Sequence, residues 1–416
     1  MSPGQDWRRF LKHAARVKSL VIDGQDTDEF NEHLPTLLTL RSQGDVGITP
    51  NLRKLAVDSS FLEPEPAAEA SSHDLHLFLF LGPKLESVRL EISDDPSFHL
   101  VHQLAISCPR LRSLNVPRFP KGTAKIIHCF NALEELECDE PPIHIDVLEG
   151  LAYLPSLRRL SITLPDSFHG IGTRATREKM FPALQKLEIG DVEDLRHLVH
   201  LLRSISSPDL HELSVHLYSY HGDGSSGTIH QTFDALTKFP KLRCLTICGI
   251  FATIHTAFPP RAISYLHHLE ELRFQFQGLT MDSYRLADLA RGCPKLRRLT
   301  AYNSDKPGWS LEVLESFAAH FPALEYIHTR LDTSGTLTTG PPSVRSLTPI
   351  CLQLDGSPLE EKRWEPVARY ISLVYPNASF KFDSYWDEED LAHADRDALH
   401  WRYVARAVAQ ARSASV

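Results

Sequence analysis

No stretch of this chain comes near the roughly 18 consecutive apolar residues that a membrane-spanning helix needs. Residues 75–81 (Leu-His-Leu-Phe-Leu-Phe-Leu) are far too few to cross a bilayer. Nor is there an excess of basic charge. Lys and Arg total 44 against 53 Asp and Glu, giving a net charge of −9. An acidic chain without a basic run is a poor match for a phosphate backbone, which argues against nucleic acid as a partner. The opening Met-Ser-Pro-Gly-Gln-Asp-Trp lacks the apolar core of a signal peptide, so the expected location is cytoplasmic or nuclear. The seven cysteines are odd in number and lack the close paired spacing of a zinc site.

The sequence is equally short of catalytic motifs. It holds no Gly-x-Ser-x-Gly elbow, no kinase set and no His-Glu-x-x-His. Residues 220–227 carry glycines but lack the Gly-Lys-Ser/Thr ending of a phosphate loop, and read as an exposed loop tip. His99/His102 and His197/His200 have helical i, i+3 spacing but no third ligand nearby, which favours structural histidines. Cys244 and Cys248 share strand parity and read as small outward thiols. The expectation is therefore a protein that is not an enzyme and needs neither metal nor cofactor.

What the chain does have is a recurring phrase. Cys-Pro-Arg-Leu-Arg-Ser-Leu-Asn-Val at 108–116 returns as Cys-Pro-Lys-Leu-Arg-Arg-Leu-Thr-Ala at 293–301. Variants stand at 154–162, 181–189 and 239–247. Twelve first-position anchors run from Val17 through Leu52, Leu111 and Leu210 to Leu324, spaced 22 to 35 residues apart. The mean of about 28 falls at the long end of the leucine-rich-repeat range.

Each unit reads as helix, proline stop, short strand and loop. The Leu-x-Ile ending alternates inward and outward as a strand must. The proline, with no N–H to donate, ends the preceding helix. A single unit cannot bury its own apolar face, so neighbours must stack. The expected fold is an α/β leucine-rich-repeat solenoid, a horseshoe with parallel strands on the concave face and helices on the convex face. The slot nine residues into the unit, usually Asn or Cys, holds Phe119, Pro141, Pro165, Val192, Tyr218 and Ile250. Irregular strand-to-helix loops follow from that.

Residues 6–16 read as an amphipathic helix with Trp7, Phe10, Leu11 and Ala14 on one face, so residues 1–22 are expected to be a capping helix and first strand. The solenoid is expected over 23–358. A degenerate last repeat and C-terminal capping helix follow over 359–416, with 344–347 and 375–382 as weak further units. Insertions at 58–74, 165–179, 218–229 and 329–343, rich in Gly, Ser, Thr or Pro, are expected to project from a rim. In the closing helix Trp401, Ala405 and Val408 step by three and four along one face.

Residues flanking the second Leu of each strand should point outward. In the C-terminal third these are Arg273, Gln275, Arg298, Thr300, Tyr302, Tyr326, His328 and Arg330. Arg and Tyr are enriched among binding anchors, which makes this the candidate surface for a protein partner.

The opening 6–20 (Asp-Trp-Arg-Arg-Phe-Leu-Lys-His-Ala-Ala-Arg-Val-Lys-Ser-Leu), followed by Cys-Pro-x-Leu-x-x-Leu repeats, resembles the region after the F-box in fungal F-box/leucine-rich-repeat proteins. The resemblance covers most of the chain and implies that the repeats bind a substrate protein. In that family an N-terminal F-box docks on the Skp adaptor of a cullin–RING ubiquitin ligase. No recognisable F-box precedes the Trp7 helix here. A Leu-Pro at 34–35 falls between the first two repeats. Skp binding is thus implied only with an upstream F-box. The alternative is a stand-alone scaffold or inhibitor with no ubiquitin link.

Overall fold

A computed structural model of the 416-residue chain describes residues 3–22, 36–39, 48–57, 77–90, 98–138, 142–165, 180–217, 226–253, 265–277, 283–302, 309–335, 342–354, 357–382 and 396–414. The loop expected at 58–74, most of the insertion at 165–179, the glycines at 222 and 224, and the acidic start of the closing helix lie outside them. So does the side chain of Trp7. The chain divides into two compact units: 1–190 with 203–207, and 191–202 with 208–416.

Unit 1 is built on seven strands: β1 (Ser19–Ile22), β2 (Lys54–Val57), β3 (Ser87–Leu90), β4 (Ser113–Asn115), β5 (Glu135–Cys138), β6 (Arg159–Thr163) and β7 (Lys186–Val192). Each pairs in parallel with the next in sequence. Unit 2 continues with β8 (Glu212–Leu217), β9 (Cys244–Thr253), β10 (Glu271–Gln277) and β11 (Arg298–Tyr302). After β12 (Trp309–Ser310) come β13 (Tyr326–Thr329), β14 (Leu331–Asp332), β15 (Ile350–Gln353) and β16 (Ala378–Phe380). β8 to β11, β13, β15 and β16 pair in parallel in that order, while β12 and β14 form a separate ribbon. Each unit is an α/β leucine-rich-repeat solenoid, strands in one layer and helices in the other.

The repeat phrase works through a turn as well as through a helix stop. The residue before the proline accepts a hydrogen bond from the anchor leucine three positions on. This holds for Leu111 to Cys108 at 3.0 Å, Leu242 to Phe239 at 3.1 Å and Leu296 to Cys293 at 3.1 Å. Proline thus occupies the second position of a β-turn, where its fixed φ is favoured. Cys108 and Cys293 are 2% and 0% exposed, filling equivalent core positions. Apart from the half-buried Val17, every anchor is buried. Burying each contributes roughly 1.5–3 kcal/mol. Phe119 and Val192, where Asn or Cys is usual, are each 1% exposed and extend the apolar core.

Helices stack on their sequence neighbours, Ala124–Ile127 against Ile145–Leu151 in unit 1 and Ser283–Gly292 against Val313–His320 in unit 2. They also reach the strand layer, as where Phe233 meets Phe274 edge-on at 5.9 Å between ring centres. Helix Ser226–Leu236 begins inside the stretch expected to be an insertion, and β14 forms within 329–335. Among the described residues, no helix is long and apolar enough to cross a membrane.

Along the edge where the strands begin, the same position carries a charge in most repeats, with Gln185 and His211 standing there between the two series below. In unit 1 the series is Lys18, Arg53, Glu86, Arg112, Glu134 and Arg158; in unit 2 it includes Arg243, Glu270, Arg297 and Glu325. Each backbone N–H after the first donates to the carbonyl of the previous member in its unit, at 2.7–2.8 Å. Side chains pair too: Arg53 with Glu86 at 3.7 Å, Arg112 with Glu134 at 3.5 Å and Arg297 with Glu325 at 2.5 Å. Such exposed pairs are each worth little, about 0–1 kcal/mol.

The ends depart from the sequence reading. Ala14 is 6% exposed, but Phe10 and Leu11 remain 42% and 36% exposed. Near the other end the strand is Ile350–Gln353, two residues past 344–347, and Leu347 is 67% exposed. Extending the register back from Tyr326↔Cys351 and Cys351↔Ser379 puts Pro349 and Asn377 in the slot of anchor Leu324. The Asn377 side-chain amide donates to the Leu347 carbonyl at 2.8 Å. Beyond it, Trp401, Val404 and Val408 of helix Arg396–Ala414 are 2%, 0% and 1% exposed, and the helix packs on Trp364–Val374.

Between these elements Glu315 holds three groups together. It accepts from the Tyr370 hydroxyl at 2.7 Å, the Ser343 amide at 2.9 Å and the Ser343 hydroxyl at 2.5 Å. Partial burial works to raise its pKa, but these hydrogen bonds together outweigh it and hold the carboxyl below its ordinary value.

Tyr375 shows the opposite situation. It is 2% exposed, and among the described residues its hydroxyl has no hydrogen-bond partner. Burial pushes its phenol well above the ordinary tyrosine range. A buried donor left unmade costs about 1–3 kcal/mol. Tyr375→Phe is therefore expected to stabilise unit 2 by about 1 kcal/mol, read as a higher urea midpoint at unchanged slope. A lower midpoint would show that the hydroxyl has a partner.

Candidate functional site

The strand parity of the repeats sets the outward face. β5 alternates Glu135, half-buried, Leu136, buried, Glu137, exposed, and Cys138, buried, and β2, β3, β4 and β13 alternate in the same way. In unit 2 the register arranges the outward residues in rows. One row runs Glu271, Arg298, Tyr326, Cys351 and the next Arg273, Thr300, His328, Gln353. Gln275 stands opposite Tyr302 in a third. Neighbouring strands are about 4.8 Å apart, so Arg298 lies beside Tyr326 and diagonal to Arg273.

Seven of the eight residues singled out in the sequence thus fall in these rows by backbone position. Arg273 and Arg298 are exposed, while Gln275, Tyr326 and His328 are half-buried. Thr300 is only 9% exposed, flanked in register by the longer Arg273 and His328. Tyr302 occupies its row by backbone position, and its side chain is outside the described residues. Arg330 is half-buried past the end of β13, where the chain leaves the sheet for β14, so it does not stand in the rows.

Internal bonds fix part of the patch. The Tyr326 hydroxyl donates to Oε1 of Gln353, itself 2% exposed. Arg273 hydrogen-bonds the Cys248 thiol. Burial, above all, raises the pKa of Cys248, with Arg273 acting against it. Cys244 is pushed up to about 11 by burial and then by the carboxylates of Glu271, Glu212 and Glu270. Both thiols stay protonated at neutral pH, which makes them weak nucleophiles. Cys248 is 7% exposed, so parity alone did not make it an open thiol.

Electrostatically the patch is set apart by Arg298. Its neighbour Arg297 is paired with Glu325, but Arg298 has no ion-pair partner among the described residues. Among the described residues, the guanidinium makes no ion pair that a partner would first have to break.

Unit 1 holds a second feature, which the sequence reading passed over. Its outward rows Ser113, Glu135, Arg159, Lys186 and Asn115, Glu137, Ser161, Glu188 form the walls of a depression of about 260 Å³. Within it Arg159 pairs with Glu135 at 3.2 Å. The alternation of Leu and polar residues gave every wall residue its direction, but not the concavity, which depends on four neighbouring repeats at once.

The histidine pairs do not converge. His197 is 8% exposed while His200 is exposed, and His102 stacks on Phe98 at 5.9 Å.

No protein-family model matches the chain, and no curated protein matches it. Among solved structures, a leucine-rich-repeat protein of Leptospira interrogans aligns with 90% of this chain and 98% of its own, at 14% identity and a TM-score of 0.41. An internalin of Listeria monocytogenes aligns with 90% of this chain and 89% of its own, at 13% identity and a TM-score of 0.42. With TM-scores this low, the fold rests on the strand register and the buried anchors.

Proposed function

We propose that this protein is a non-enzymatic recognition module that reads a partner protein with the strand face of unit 2. In finer terms, it is the substrate-binding part of an F-box-type ubiquitin-ligase adaptor. The observation that carries the recognition reading is Arg298, an exposed arginine with no ion-pair partner among the described residues, in register with Tyr326 and diagonal to Arg273. Arginine and tyrosine supply the large, oriented contacts that dominate binding energy. The ligase reading rests on the resemblance of the 6–20 segment and repeat phrase alone.

Arg298→Glu tests both levels. It reverses an exposed charge, so its effect on folding should stay within about 0.5 kcal/mol. Partners retained by the tagged protein in its native cells should fall about tenfold or more, as expected for a central anchor. Where an F-box precedes this chain in the native protein, a Skp-type adaptor and a cullin should be retained equally by both forms. If the adaptor and cullin are missing while other partners respond to the mutation, the protein is a free-standing scaffold or inhibitor. If partner recovery is unchanged, recognition lies elsewhere.

A further inference from the structure

We infer that the depression on the strand face of unit 1 is a separate recognition subsite, built to take an arginine side chain presented by an extended segment of a partner protein. The argument begins with size. The depression is about 260 Å³. Small-molecule sites occupy about 300–1,000 Å³ and are mostly apolar. This one falls below that range and its walls are polar, so it suits one side chain entering from a protein surface.

Charge then selects the side chain. Arg159 is already paired with Glu135 at 3.2 Å, and Lys186 and Glu188, of opposite charge, both stand on the outward face of β7. Glu137 differs. It is exposed, and its neighbours across the sheet are neutral, Asn115 on β4 and Ser161 on β6. Among the described residues its carboxylate has no ion-pair partner. Counting Glu135, Glu137 and Glu188 against Arg159 and Lys186 leaves one negative charge uncompensated.

A guanidinium answers that arrangement in full. Its planar fork can bind the Glu137 carboxylate through two parallel N–H···O bonds. The donors left over have the Asn115 side-chain carbonyl oxygen on the neighbouring strand to accept them. An acidic side chain would face three carboxylates, and a neutral one would leave Glu137 uncompensated. The subsite lies wholly in unit 1, so its failure would leave the reading of the Arg298 face untouched.

The test uses the full chain and a defined probe, the peptide acetyl-Gly-Gly-Arg-Gly-Gly-amide, with its Glu counterpart as control. The backbone of Leu114, Leu136 and Leu160 crosses the floor of the depression, and their amide N–H signals report occupancy by NMR. The arginine peptide is expected to shift those amides saturably, in the millimolar range suited to a single anchor. The glutamate peptide should not. Glu137→Gln should weaken binding about tenfold, matching a lost charge-assisted pair, while Glu361→Gln, an exposed carboxylate in unit 2, should leave it unchanged. Absence of a saturable shift overturns the assignment. Equal losses in the two variants would overturn it too, by reducing the effect to general attraction toward an acidic chain.

Discussion

Trp401→Ala is expected to destabilise unit 2 by about 3–5 kcal/mol, the range for removing a large aromatic from a packed core. Trp401 is 2% exposed, and its indole N–H donates to the Ser357 carbonyl at 2.9 Å. Ser357 is itself fully buried, and its hydroxyl accepts from the Leu331 amide at 2.8 Å. The adjoining His400 ring nitrogen lies 2.6 Å from the Leu359 carbonyl. One indole therefore ties helix Arg396–Ala414 to the segment that leads into the last repeat, and so reaches the β14 region. Its removal opens a cavity and also orphans a buried carbonyl. Because repeat proteins unfold in parts, the loss should appear first as early amide exchange over 357–382 and the closing helix, ahead of the main transition. Trp401→Phe separates the two contributions: it keeps most of the volume, and losing the N–H should cost about 1 kcal/mol. If Trp401→Ala melts like the wild type, this helix does not secure the end of the unit.

Leu296→Ala is expected to cost about 2–5 kcal/mol. Leu296 is 1% exposed, and its amide closes the proline turn onto Cys293. The turn keeps its backbone bond in the variant, so the cost is the lost packing between successive repeats. The damage should centre on β10, β11 and β13, with the main unfolding transition moved to lower urea. Arg298, two residues along, provides the internal comparison: its reversal should leave that transition in place while removing partner binding. Equal stability of the two variants would show that the anchor slot does not carry the core.

The contrast between Leu296 and Arg298 also explains what could be read in advance. A leucine anchor is a local signal, repeated in every unit, and its burial follows from the stacking that the repeat demands. Strand parity is equally local, so the outward direction of Arg273, Arg298 and Tyr326 was legible. Accessibility was not. Thr300 and Gln353 point outward by parity yet are 9% and 2% exposed, because exposure depends on the length of the side chains on neighbouring strands. The final repeats were obscured for another reason. Their anchor slots hold Pro349 and Asn377, and Asn377 satisfies its position by a hydrogen bond that no hydrophobic pattern announces. The depression around Glu137 stayed hidden because its shape and charge balance are properties of four repeats together.

The alternating charges at the strand edge bear on how such a chain finds its stacking order. Its repeats are near copies in their apolar positions, so a leucine core alone discriminates poorly between the correct neighbour and the one after it. Should the repeat carrying Glu134 be bypassed during folding, Arg112 would come to lie against Arg158. Bypassing the repeat of Arg297 would set Glu270 against Glu325. In the correct order those same positions attract. Pairs that add little to the finished fold can thus act as a parity check on assembly, penalising a skipped repeat where the hydrophobic pattern cannot.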